Sequence, residues 1–130
     1  MTEPVGVVLV SHSPAMAAGL AELLRELGSR TVPVVLAAGT EDGSLGTSYD
    51  RIVAALAEAD SGSGVVVLPD LGSSVLTAVT VLADHPRPDA VLVDAPFVEG
   101  AVAAVVTASA GAALAEVVAA AQDARGFRKF

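Results

Sequence analysis

Residues Val5–Pro14 read VGVVLVSHSP, and this stretch decides the fold. Val5–Val10 is an almost unbroken apolar run of residues that favour strands. Because the apolar residues occupy successive positions, we expect a strand that is covered on both faces, as in a parallel sheet. Ser13 can cap a following helix and Pro14 suits the first helical position, so the stretch predicts a strand that leads into a helix.

The same alternation of strand and helix continues along the rest of the chain. Further strand-like runs lie at Val32–Ala37, Gly64–Leu68 and Ala90–Val93. Helical periodicity predicts five helices, at Pro14–Leu27, Tyr49–Ala59, Ser74–Ala83, Val98–Ala108 and Ala112–Ala124. This order predicts an α/β fold, an open and mainly parallel sheet with helices on both faces and right-handed crossovers. With no internal repeat and no interdomain linker, residues 1–130 are expected to form a single domain.

Composition and charge exclude several classes of function. The 130 residues include fifteen acids and seven bases, a formal net charge of −8, so we expect neither nucleic-acid binding nor membrane insertion. Cysteine is absent, which excludes disulfides, thiol catalysis and zinc–thiolate sites. No signal peptide and no apolar run long enough to span a membrane are visible, so a cytoplasmic protein is expected.

The common nucleotide and nucleophile motifs are missing. The sequence contains no P-loop, no glycine-rich dinucleotide fingerprint after the first strand and no G-x-S-x-G elbow. Metal-binding spacing of His, Asp and Glu is also absent, so we expect no metal and no cofactor. One of the two histidines, His85, lies in a proline-rich loop before the fourth strand, where we expect no functional role.

Polar residues follow the predicted strands at their carboxyl ends, where open α/β sheets bind ligands. Ser11, His12 and Ser13 follow the first strand, Asp70 the third and Asp94 the fourth. A neutral imidazole nitrogen is a good nucleophile towards phosphorus, and a carboxylate on the other ring nitrogen would fix its tautomer. Asp70 is the first candidate for this carboxylate and Asp94 the second. The same residues could merely cap turns and helices, but their grouping at one edge favours function.

A phosphoryl group on His12 would need hydrogen-bond donors for its oxygens. Gly46, Thr47 and Ser48 precede the second helix, where free N–H groups and the positive end of the helix dipole face outward. Gly72, Ser73 and Ser74 offer the same chemistry at the third helix. Ordinary N-capping explains a Ser or Thr at any one of these positions equally well.

Four motifs together resemble a known family. They are VSHS at Val10–Ser13, GTS at Gly46–Ser48, DLGS at Asp70–Ser73 and DAPFVEG at Asp94–Gly100. In this order, and over essentially the whole chain, they resemble DhaM, the family of phosphotransfer subunits of phosphoenolpyruvate-dependent dihydroxyacetone kinase. This family is related to the IIA domains of mannose-type sugar phosphotransferase systems. The resemblance implies a homodimeric α/β domain whose parallel sheet has four or five strands, the fifth being an added edge strand.

The resemblance also implies a reaction. His12 would accept phosphate from the histidine carrier protein HPr and pass it to ADP bound on a separate kinase subunit. Asp70 matches the carboxylate that supports the active histidine, and Thr47 and Ser48 match a loop that would contact the phosphate. The helix after DLGS departs from the family pattern, because we would expect a more polar surface there, with an acid near Val79.

Two other interpretations remain open at the level of sequence. The chain could be a mannose-type IIA domain that phosphorylates a membrane sugar transporter, although Ser13 and the Asp94–Gly100 motif favour the kinase subunit. It could also be a non-enzymatic regulatory module that uses the same edge to bind a metabolite or a partner protein.

Overall fold

A computed structural model describes residues 3–28 and 30–130. Its elements are β1 Gly6–Ser11, α1 Pro14–Leu27, β2 Val34–Ala38, α2 Tyr49–Ala59, β3 Val65–Pro69, α3 Gly72–Asp84, β4 Ala90–Leu92, α4 Phe97–Ser109, α5 Leu114–Asp123 and a short 3-10 helix at Ala124–Gly126. The predicted α/β class is therefore confirmed. Within the described ranges, no helix combines the length and the apolar character needed to cross a membrane.

The sheet has four strands in the described residues, in the order β2-β1-β3-β4, and all neighbours are parallel. β1 pairs with β2 on one side and β3 on the other, with Val10 opposite both Ala37 and Pro69. The helix after β1 packs on one face of the sheet and the helix after β3 packs on the other. The two connections therefore diverge, which opens a crevice at the carboxyl ends of β1 and β3.

Two hydrophobic layers cover the sheet. Val7 and Leu9 of β1 pack with α1, α4 and α5, whereas Val8 and Val10 pack with α2 and α3. All four side chains are fully buried. This double coverage explains why the first strand is apolar at successive positions, and it confirms the prediction of helices on both faces.

The predicted element boundaries were nearly right. α1 and α2 begin and end where the sequence predicts, and the other elements shift by one or two residues. β2 begins at Val34 instead of Val32, because Pro33 has no N–H to donate to the sheet and contributes only its carbonyl, 2.8 Å from the Val7 nitrogen. α3 begins at Gly72 instead of Ser74.

Two basic side chains of residues Arg125–Phe130 form ion pairs with acidic residues near β4 and α4. The Arg125 guanidinium lies 3.3 Å from the Asp94 carboxylate, and it also donates to the backbone carbonyl of Asp94. Lys129 Nζ lies 3.3 Å from the Glu99 carboxylate. These ion pairs therefore link the end of the chain to the β4–α4 connection and to the first turn of α4.

Gly6, the first residue of β1, makes a close approach that the fold requires. A Cβ atom at this position would overlap the carbonyl oxygen of Ala59, the last residue of α2. We expect Gly6→Ala to lower the free energy of unfolding by about 1–3 kcal/mol through overpacking. Urea denaturation measures this change.

Gly19→Ala is the matched control for this substitution. Gly19 is exposed on α1 and nothing lies within 4 Å of its missing Cβ. The control should raise the free energy of unfolding by about 0.5–1 kcal/mol, the usual gain for alanine over glycine in a helix. A Gly6→Ala protein as stable as the parent would contradict the close packing of β1 on α2.

Candidate active site

His12 directly follows β1, and its backbone is held from both sides. Its N–H donates to Asp70 Oδ2 at 3.0 Å, and its carbonyl accepts from the Gly46 N–H at 2.9 Å. The next residue, Ser13, caps α1 by accepting the Met16 N–H at 3.1 Å. The His12 side chain is 28% exposed. The ring is therefore fixed in place while one edge of it reaches the exterior.

Gly46 has a structural task that differs from the predicted one. The sequence suggested that its N–H would donate a hydrogen bond to a phosphate, but this N–H donates to the His12 carbonyl. Its φ angle is +141°, a conformation that favours glycine, and a Cβ would lie 2.7 Å from Thr40 Cγ2. Gly46 therefore lets the β2–α2 loop approach and hold the backbone of His12.

Asp70 directly follows β3, and its side chain is only 4% exposed. Its Oδ1 lies 2.9 Å from His12 Nδ1, as the sequence predicted for this pair. Five groups donate to the carboxylate: His12 Nδ1, the Ser74 hydroxyl and the Leu71 N–H at Oδ1, and the His12 N–H and the Ser11 hydroxyl at Oδ2. Hydrogen bonds from the protein therefore replace the water that the buried carboxylate has lost.

The pKa of Asp70 reflects a balance between burial and hydrogen bonding. Burial is the largest single influence and raises the pKa, but it is outweighed by hydrogen bonds from the Ser74 hydroxyl, from the N–H and ring of His12 and from the Leu71 N–H. Together these bonds lower the pKa of Asp70 from the usual 3.8 to about 2. The carboxylate is therefore ionised at neutral pH.

The two ring nitrogens of His12 have different surroundings. An ionised carboxylate can only accept a hydrogen bond, so Nδ1 carries the proton and Nε2 keeps a lone pair. Nε2 faces outward, 2.5 Å from the Ser73 hydroxyl, which in turn lies 3.1 Å from Thr47 Oγ1. The site thus combines an oriented nucleophilic nitrogen with two hydroxyls from different loops.

Ser74, which the sequence offered only as a hydroxyl near a phosphate site, contacts Asp70 instead. It is fully buried, and its hydroxyl donates to Asp70 Oδ1 at 2.7 Å and lies 3.2 Å from His12 Nδ1. The available signal was its spacing, because Ser74 is followed at helical intervals by Ala78 and Val81, which are also buried. A serine at this inward position needs a polar partner.

Two further predicted residues lie outside the hydrogen-bonded cluster. Ser48 is the N-cap of α2, where its hydroxyl accepts the Arg51 N–H at 3.1 Å and donates to the Glu41 carboxylate. The Asp94 side chain is 93% exposed and pairs with Arg125 instead of His12. Across the described ranges, no three His, Asp or Glu side chains come close enough together to hold a metal ion.

Comparison with known proteins identifies the family. Residues 6–118 match the model of the EIIA-man family, described as the PTS system fructose IIA component. The chain belongs to the EIIA-man family. The crystal structure of EF1359, a protein of unknown function, superposes with a TM-score of 0.85 at 34% identity, covering 100% of this chain and 99% of that one.

Several relatives of this EIIA-man chain carry DhaM names. It is 37% identical over 103 residues to a Listeria innocua protein, the phosphoryl donor subunit DhaM of PEP-dependent dihydroxyacetone kinase 1, covering 79% of this chain and 81% of the relative. It is 33% identical over 107 residues to a Lactococcus lactis phosphotransferase subunit DhaM, covering 82% and 85%. The longer Escherichia coli DhaM is 35% identical over 120 residues, which are 25% of its length. The predicted resemblance is confirmed.

The lowered pKa of Asp70 gives a testable dependence of stability on pH. Because the folded-state pKa of about 2 lies below the usual 3.8, the ionised carboxylate stabilises the fold above pH 3.8. This contribution, about 2 kcal/mol, is lost as the pH falls through the folded-state pKa. The carboxyl carbon resonance of Asp70 should therefore titrate near pH 2 in NMR spectra of the folded protein.

Ser74→Ala is expected to move this titration to higher pH, because it removes the largest of the bonds that lower the pKa. If the NMR titration of Asp70 in the unsubstituted protein has its midpoint at or above pH 3.8, the hydrogen bonds to its carboxylate do not lower its pKa.

Proposed function

We propose that this chain is a phosphohistidine carrier, the phosphotransferase subunit of a PEP-dependent dihydroxyacetone kinase. In this proposal His12 accepts phosphate from phospho-HPr and passes it to ADP bound on the kinase subunit. The observation that carries the proposal is the pairing of His12 Nδ1 with the ionised, buried Asp70, which leaves Nε2 facing outward. The names of the DhaM relatives support the choice of pathway. Phosphoenolpyruvate and ADP are cytoplasmic metabolites, so the proposal also places the chain in the cytoplasm.

Phosphate acceptance uses the lone pair of Nε2. This nitrogen attacks the phosphorus of phospho-HPr in line with the breaking P–N bond of the donor, and the donor imidazole keeps the electron pair of that bond. Nδ1 keeps its proton throughout, so the phosphorylated ring carries a positive charge. Asp70 stabilises this charge across a distance of 2.9 Å and holds the ring in its orientation.

Phosphate release is the same displacement with a different nucleophile. A terminal phosphate oxygen of ADP attacks the phosphorus, the P–N bond breaks and its electron pair returns to Nε2. Since the ring then becomes neutral again, no net proton transfer is needed. Asp70 lowers the energy of the charged intermediate, and the exposed edge of the ring lets the acceptor reach it.

The oxygens of the bound phosphoryl group would be held by Ser73 and Thr47. The Ser73 hydroxyl already contacts Nε2, and Thr47 lies next to it. Ser73 also belongs to the first turn of α3, where backbone N–H groups have no partner within the helix. In this assignment Ser11 and Ser74 orient Asp70, while Gly46, Ser13 and Ser48 shape the loops.

His12→Gln should abolish phosphate uptake, because the amide has no nucleophilic nitrogen. Incubation with phosphoenolpyruvate, enzyme I and HPr, followed by intact mass and phosphorus NMR, should show one acid-labile phosphoryl group on the unsubstituted chain and none on this variant. His85→Gln is the matched control, since His85 is the only other histidine and ends α3 beside Tyr49. A His12→Gln chain that still gains phosphate would refute the proposal.

The acceptor distinguishes this proposal from the alternatives. Addition of the ADP-loaded kinase subunit and dihydroxyacetone should discharge the phosphorylated chain and form dihydroxyacetone phosphate. Discharge only to a sugar transporter subunit would make it a mannose-type IIA domain. Failure to take up phosphate from demonstrably active donors would instead favour a regulatory binding module.

We also propose that the chain forms a homodimer, as the family resemblance implies. Val98 and Val106 of α4 are exposed and line an apolar cavity of about 590 Å³ together with Phe127. Sedimentation equilibrium at micromolar concentration should give about twice the chain mass of 12.8 kDa. Val106→Lys should shift the mass towards that of the monomer, whereas a monomer in the unsubstituted protein would contradict the proposal.

A further inference from the structure

Helix α3 presents an uncharged apolar face to the exterior beside the reactive nitrogen. Leu71, Val75, Leu76 and Val79, here called the α3 face, are each between 38% and 70% exposed. The helix contains no charged residue from Gly72 to Ala83. Contiguous exposed apolar side chains of this kind mark interaction surfaces in soluble proteins. The exposed apolar side of α3 is therefore a candidate contact surface.

The position of the α3 face indicates what covers it. Ser73 lies in the first turn of α3, with its hydroxyl 2.5 Å from His12 Nε2. A protein that exchanges phosphate there must bring its reacting atom within about 3–3.5 Å of its target. A specific interface covers about 800 Å² per partner, a disc of roughly 16 Å radius. Val79 follows Ser73 by six residues, about 9 Å along the helix, so the α3 face lies inside this footprint.

The charge around the α3 face indicates the chemistry of the partner. Val75 lines a cavity of about 240 Å³ next to Asp70 together with Asp94, whose carboxylate is paired with Arg125. Asp42 and Asp50 are exposed on the β2–α2 loop and in the first turn of α2, on the other side of the site. The chain as a whole carries a net charge of −8. An apolar centre with an acidic rim fits a protein surface with an apolar patch bordered by Lys and Arg.

This charge also indicates that the phosphate acceptor arrives as a protein that carries the nucleotide and not as the free nucleotide. The acceptor oxygen belongs to a nucleotide, and a free nucleotide is repelled by the acidic rim. A protein that holds the nucleotide in a basic pocket brings it to Nε2 with its charge neutralised. The same basic groups then face the carboxylates around the site.

We propose that the α3 face is the docking surface for the nucleotide-loaded protein that takes phosphate from His12, through an apolar patch bordered by basic side chains. This inference rests on the function proposed above. It extends that function because it assigns partner recognition to Leu76 and Val79, which do not take part in the chemistry of the site.

The test compares Leu76→Lys with Leu27→Lys. Leu27 is 55% exposed at the end of α1, on the opposite face of the sheet, and is the matched control. Leu76→Lys should raise the KM for the ADP-loaded kinase subunit about tenfold, because it places a cation opposite the basic partner. Chemical phosphorylation of His12 by phosphoramidate should be unchanged in both variants. Val79→Thr, in which the new side chain has nearly the same shape, should raise the KM about threefold. This second variant tests the same surface if Leu76→Lys fails to fold.

Each other outcome overturns a defined claim. An unchanged KM in Leu76→Lys and Val79→Thr, or an equal rise in Leu27→Lys, overturns the docking surface. Impaired transfer from phospho-HPr with normal transfer to the kinase subunit assigns the face to the donor and overturns the acceptor assignment. An unsubstituted chain that takes no phosphate from phosphoramidate or from phospho-HPr overturns the proposed function itself.

Discussion

The site depends on keeping one buried carboxylate charged. Asp70 is almost fully removed from solvent, and an ion in that position is tolerated only if the protein replaces its hydration. Hydroxyls from Ser11 and Ser74, two backbone N–H groups and the imidazole do so. These donors come from the ends of two strands and the start of a helix, so the chemistry of His12 requires all three elements to be in register.

The topology of the sheet brings those elements together. His12 and Asp70 are 58 positions apart in the sequence, yet they follow neighbouring parallel strands. The chain leaves β1 towards one layer of helices and β3 towards the other, which opens a space between the two strand ends that the β2–α2 loop borders. A small α/β domain thereby obtains a crevice without an insertion or a second domain.

The sequence predicted the fold and the His12–Asp70 pair for the same reason. Apolar runs locate buried strands, and the residues that follow parallel strands must share an edge. The partners of individual hydroxyls could not be predicted in this way. Ser48 and Ser73 both stand near a helix start, but one caps its helix and the other contacts the imidazole. Which role a hydroxyl takes depends on the distances between loops, and local sequence does not encode those distances.

The placement of Asp70 behind the ring also bears on hydrolysis. Its carboxylate contacts Nδ1, whereas Nε2 points away from it towards the exterior. A water molecule that approaches a phosphoryl group on Nε2 comes from the side opposite Asp70, which therefore cannot remove its proton. Without general-base assistance from this carboxylate, attack by water is slow. If His12 carries phosphate as proposed, this geometry would limit the loss of phosphate to water before a protein acceptor arrives.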